Sequence, residues 1–110
     1  MLNNVVLVGR ITKDVTPVET TNGSKRAFIT LAVSRTHKNA DGEYDTDFIN
    51  VILWNALAEH VCEYCKKGDI VGIKGFIESS HYEKDGETKY VTNIVADKVT
   101  FLSSKKPNIE

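Results

Sequence analysis

No apolar run in this 110-residue chain approaches the roughly 18 residues that a membrane-spanning helix needs. The start, Met1-Leu2-Asn3-Asn4, lacks the basic opening and small-residue cleavage site of a secretory signal. A cytoplasmic protein with no membrane partner is expected. No glycine-rich phosphate loop with a following lysine occurs, and His37, His60 and His81 are scattered, none at ligand spacing with another. The acids fall mainly where loops are expected, as a solvated face would place them. An enzyme needs converging nucleophile, base or metal groups, so neither catalysis nor a cofactor or metal is expected. Cysteine is scarce too. Cys62 and Cys65 form the one C-x-x-C, which can be a redox pair or half a zinc site. No second pair completes such a site, and the two fall in the middle of an expected helix rather than at its start, where the helix dipole would lower a thiol pKa. Small buried thiols are the expectation.

An excess of charge of either sign is also missing: the formal net charge is −1. Its distribution is uneven. Residues 1–38 carry six cations against two acids, or +4, whereas residues 39–110 carry eight lysines against 13 acids, or −5. That asymmetry permits one positive face. With 41% hydrophobic and 26% charged residues, the chain suits one domain with a modest core.

What is present is strand signal. Thr46 to Trp54 is rich in β-branched and aromatic residues without glycine or proline. Side chains alternate across a strand, so Ile49, Val51 and Leu53 share a core stripe while Phe48, Asn50, Ile52 and Trp54 share the other face. Two large aromatics around an amide need a use. Either they cover a second buried surface, such as a helix or subunit contact, or they form a platform on which nucleic-acid bases stack.

Four further strands are expected. Val5 to Val8 is apolar on both faces, as in a central strand or one covered by another subunit, and Gly9 marks a bulge or bend. Pro17 and Asn22-Gly23 punctuate the connector Asp14–Ser24, in which Val18-Glu19-Thr20 could add a short strand. Arg26–Arg35 is the second strand, with Ile29, Leu31 and Val33 on one stripe and Phe28, Thr30, Ala32 and Ser34 on the other. A polar loop follows over Thr36–Asp45 around Asp41-Gly42. After Trp54 the spacing of Leu57, Val61 and Tyr64 or Cys65 predicts a helix, with Asn55 as N-cap, Lys66 and Lys67 in the last turn and Gly68 as the stop. Asp69–His81 is a long strand whose interior glycines suit sharp coiling. A hairpin tip over Tyr82–Glu87 and a last strand over Lys89–Phe101 complete the order. This is an all-β OB-fold, a five-stranded coiled barrel with one helix between the third and fourth strands. Residues 1–103 form the domain and 104–110 a short polar tail. Aromatics and cations interleave along it. Arg35, His37 and Lys38 close the second strand, Phe48 and Trp54 flank the third, and Tyr82 and Lys84 mark the last hairpin.

The segments Asn4–Arg10, Ile29–Ser34, Phe48–Trp54, Leu57–Glu59 and Glu63–Val71, with the Gly75 that follows, resemble the bacterial single-stranded DNA-binding protein family, in order, from about residue 3 to 102. The resemblance implies an OB-fold homotetramer that is wrapped by single-stranded DNA in replication, recombination and repair. It implies base stacking at His37, Phe48, Trp54 and Tyr82, phosphate contacts at Arg10, Arg35, Lys38 and Lys67, and a dimer contact through Val5–Val8. Three departures stand out. His37 occupies a position where tryptophan is common, so stacking there is expected to be weaker. Glu78-Ser79-Ser80-His81 replaces an often basic stretch. Finally, Lys105–Glu110 has neither the Gly/Gln/Pro-rich character nor the acidic tip usual in the family. Either this is a short paralogue of competence, phage or plasmid type or the family's tail has been removed; the short paralogue is the expectation, without tail-mediated repair and replication partners. The alternative is a primosome-type OB-fold module that binds proteins and holds DNA weakly.

Overall fold

The computed structural model describes residues 1–104; the expected tail lies, apart from Ser104, outside the described residues. Six strands and one helix follow in the order β1 (Val5–Ile11), β2 (Val18–Glu19), β3 (Lys25–Lys38), β4 (Tyr44–Trp54), α1 (Asn55–Tyr64), β5 (Ile70–Lys84) and β6 (Glu87–Ser103). The two-residue β2 only edges β3, so the barrel has five strands, and the helix falls between its third and fourth as expected. The sheet runs β1-β5-β6-β4-β3-β2 and closes where β1 also pairs with β3.

The period-2 pattern becomes a core because every barrel strand turns one stripe inward. Antiparallel pairing sets Ala27 against Leu53, Ile29 against Val51 and Leu31 against Ile49. Ala27, Ile29, Leu31, Val51 and Leu53 form the buried centre with Ile11, Val71 and Ile73, and the half-buried Ile49 packs against it. The helix packs onto it through Ala58 and Val61, both fully buried. Its expected N-cap is different: the cap is Trp54, without a side-chain hydrogen bond. Asn55 has a left-handed φ of 50°, and its side-chain oxygen accepts the Lys25 backbone N–H at 3.1 Å instead. The amide ties α1 to β3 rather than satisfying its own helix. The helix also stops earlier than expected. Cys65 is already extended, and Lys66-Lys67-Gly68 form a separate turn. The buried Asp69 carboxylate holds that turn by accepting the Lys66 N–H at 2.8 Å. The lysines therefore lie beyond the helix, and the cysteine pair falls at its end rather than its middle.

Two glycines show how the barrel closes. Gly9 is no bulge, since its register with β5 is unbroken. A Cβ there would sit 2.8 Å from the Ala32 carbonyl oxygen, because β1 passes tightly against β3 at this point. The register between β5 and β6 shifts at two places, Ile70/Val71 and Lys74/Gly75, and a Cβ on Gly75 would fall 2.0 Å from the Val95 carbonyl oxygen. Only hydrogen fits.

Both hairpins extend further than the sequence pattern predicts. Half of the polar stretch expected as a loop over Thr36–Asp45 is strand, and its turn shrinks to the residues between Lys38 and Tyr44. Asn39 closes this turn, its side-chain oxygen accepting the N–H groups of Asp41 and Glu43 at 2.9 and 3.0 Å. At the other tip Asp85 and Gly86, with φ of 53° and 80°, make the two-residue turn that matches strand twist. Beyond the barrel both faces of each arm meet water, so no apolar alternation marks them as strands.

Candidate nucleic-acid interface

The register of β3 with β4 determines which side chains share the outer face. Arg26 stands opposite Trp54, Phe28 opposite Ile52, Thr30 opposite Asn50, Ala32 opposite Phe48 and Ser34 opposite Thr46. The same row carries Arg10, which pairs across with Ala32. Phe48 is 68% exposed and Trp54 38%; neither ring is sealed beneath another element of this chain. Six residues apart on one strand, they are separated by about 20 Å, room for several nucleotides between two stacking rings. The Thr30 hydroxyl donates to the Asn50 side-chain oxygen at 2.7 Å, a polar centre between them.

The cations differ in how far each is already committed. The Arg10 guanidinium donates to the Gly68 carbonyl at 2.7 Å, which brings it beside the turn that presents Lys67. The Lys67 backbone N–H is held by Asp14 at 3.0 Å, while its side chain is exposed. Arg35 is the most engaged. Its Nε and Nη2 fork onto Asp47 at 3.1 and 2.9 Å, and Asp45 lies 3.9 Å away. This fork holds the Asp47 carboxyl below the usual carboxylate range and raises the Arg35 pKa. Pairing of Val33 with Asp47 also puts the acid on the face continuing the core stripe, opposite the Phe48 face. His37 and Lys38 end β3 in exposed positions, with the Lys38 ammonium 5.9 Å from the centre of the Tyr44 ring.

Tyr82 and Lys84 belong to the separate β5–β6 arm. Tyr82 is half exposed and stands opposite Lys89, and Lys84 stands opposite Glu87. On the neighbouring pair His81 and Tyr90 bring their rings to 6.0 Å. The predicted residues thus form one assembled platform, around Arg10, Phe48 and Trp54, and two projecting arms.

Sequence reasoning passed over Phe28 and Arg26. Phe28 is 48% exposed on the platform, and the Arg26 guanidinium lies 5.1 Å from its ring centre and 5.6 Å from that of Trp54. Phe28 was visible as the one large residue on its otherwise small stripe, but only the register sets it near Trp54. Tyr44, more than half exposed beside Lys38, is a further open ring.

The thiols behave as small core groups. Cys62 is partly buried and Cys65 buried, and both are unpaired. Burial pushes both pKa values up, with Asp69 and Cys62 adding to the rise at Cys65, the opposite of an activated thiolate. Among the described residues no three His, Cys, Asp or Glu side chains gather as a metal site. No helix among them is long and apolar enough to cross a membrane.

Comparison with known proteins places this geometry. The pattern of the single-strand binding protein family matches residues 2–102. The chain is 45% identical over 106 residues to single-stranded DNA-binding protein B of Bacillus subtilis strain 168, covering 96% of this chain and 94% of that protein. It is 48% identical over 106 residues to single-stranded DNA-binding protein 2 of Staphylococcus aureus strain Mu50, covering 96% and 75%. Among solved structures, the Plasmodium falciparum SSB complex with ssDNA matches with a TM-score of 0.79 at 20% identity, covering 94% of this chain and 96% of that one. At that identity the match speaks to the fold.

Proposed function

The chain belongs to the single-strand binding protein family, and from that premise we propose that it binds single-stranded DNA without reading its sequence. Bases stack on Phe48 and Trp54 across the barrel face and on His37 and Tyr82 along the arms. Arg10, Lys38, Lys67 and Lys84 follow the phosphates. Arg35 joins them by exchanging its Asp47 partner for phosphate. Stacking tolerates any sequence because every base has a π-face, and it is worth about 1–3 kcal/mol per base. The observation that carries this reading is the open pair of rings, Phe48 and Trp54, flanking a basic position on one coiled sheet face.

The protein does this without catalysis or a cofactor, in the cytoplasm, protecting exposed strands in replication, recombination, repair or DNA uptake. It acts as a homotetramer. Val6, 74% exposed, and Val8 give β1 an apolar outer edge for a second copy to cover.

The test is a titration with oligo-dT of several lengths at several salt concentrations, read through Trp54, the only tryptophan, beside light scattering for the assembly state. Strong quenching that weakens with salt is expected. Unchanged emission at saturating oligonucleotide would count against the stacking platform.

A further inference from the structure

The Arg26 side chain has no part in the phosphate track proposed above, and its surroundings are unusual. It is partly buried, yet its Nε is sealed from solvent without a hydrogen-bond partner. Among the described residues it makes no ion pair, whereas its neighbour Lys25 is paired with Glu59 and Arg35 with Asp47. Guanidinium groups carry five donors in a rigid fork, and one at a partly buried position is normally matched by a carboxylate or carbonyls. Arg26 is held by rings instead, lying over both Phe28 and Trp54. Cation–π attraction to both rings holds the group over them while no carboxylate among the described residues matches its charge.

We propose that Arg26 is a further phosphate-binding residue of the single-strand interface, extending the platform to the α1 end of β3 and β4. Its guanidinium, stacked on Phe28 and Trp54, takes the phosphate beside the base that stacks at Trp54. This rests on the single-strand binding reading above and adds a residue to it. An aromatic-backed guanidinium is pre-organised, so little rotamer freedom is lost when the phosphate arrives, and its bidentate fork suits phosphate oxygens. The Lys25–Glu59 pair beside it leaves Arg26 as the cation with capacity to spare at this end of the sheet.

The test compares the wild-type chain with Arg26→Met and Arg26→Lys in oligo-dT titrations across salt, with thermal melts alongside. Methionine keeps a flexible apolar stem over the two rings but removes the charge; lysine keeps the charge but loses the fork. Arg26→Met is expected to bind about tenfold more weakly at low salt. The slope of log affinity against log salt should become shallower by about 0.7, one released counterion fewer on a single strand. Arg26→Lys should restore the slope while recovering only part of the affinity. Wild-type slope and affinity in Arg26→Met would overturn the assignment. So would a slope as shallow in Arg26→Lys as in Arg26→Met, or loss of folding in both variants, which would make Arg26 a clamp for Trp54. Failure of the wild-type chain itself to bind would instead reject the single-strand reading on which the assignment stands.

Discussion

Truncating Phe48 separates surface function from fold more cleanly than any other change in this chain. Its ring is 68% exposed on the outer face of β4, opposite Ala32. Burying a phenylalanine fully and then removing it costs about 3–5 kcal/mol. With about a third of the residue covered, Phe48→Ala should cost the fold about 1 kcal/mol, a melting shift of several degrees for a domain this size. Binding should suffer more. One lost stacking contact of about 1–3 kcal/mol weakens affinity roughly fivefold to 150-fold, since each 1.4 kcal/mol is about a factor of ten. Trp54 stays in place, so its quenching still reports the titration. Leu53→Ala supplies the mirror control. Leu53 is fully buried on the opposite face of the same strand, and its truncation should cost about 2–5 kcal/mol and lower the melting temperature by roughly ten degrees or more. Below its own transition it should bind nearly as well as the wild type. The argument fails if Phe48→Ala binds oligo-dT within twofold of the wild type, or if its loss of binding merely tracks a loss of folding.

Asp47→Asn should free Arg35 for phosphate and steepen the salt dependence of binding by about 0.7 in slope; no steepening, or the same gain in an Arg35→Ala background, would remove Arg35 from the DNA track. Because the fork depresses the folded-state pKa of Asp47, its contribution to stability is fully present above the unfolded carboxyl pKa and fades as pH falls through the folded value. Melting temperature followed from neutral into acid pH should therefore decline less in Asp47→Asn than in the wild type. Gly75→Ala has to displace the Val95 backbone and should cost about 3 kcal/mol or more, visible as a lower urea midpoint; a wild-type midpoint would refute the close approach. Combined Cys62→Ser and Cys65→Ser should leave DNA affinity unchanged, whereas loss of binding in the folded double variant would give the thiols a role they are not assigned.

Much of the barrel was legible because its strands obey period 2 while they are half buried. Ile49, Val51 and Leu53 point to the core and Phe48 and Trp54 away from it, and register kept that division intact. Legibility ended where burial ended. The arms from Thr36 to Asp45 and beyond His81 carry no apolar stripe, since both faces meet solvent, so long strands there resembled loops. Asn55 misled for another reason. An asparagine before a helix is a good local cap, but here its amide is claimed by the backbone of Lys25 thirty residues away.

The chain alone determined the alternation of inward and outward residues, the helix after Trp54 and the aromatic character of the exposed β4 face. Those features depend on neighbours a few residues apart, and local spacing records them. Only tertiary structure decided that Arg35 is matched by Asp47, that Arg26 lies unmatched over Phe28 and Trp54, and that the bulge falls on β6 at Asp97, opposite Gly75, rather than at Gly9. Each of these turns on which residue a distant strand sets opposite, and a register between strands far apart in sequence is settled only when the barrel closes.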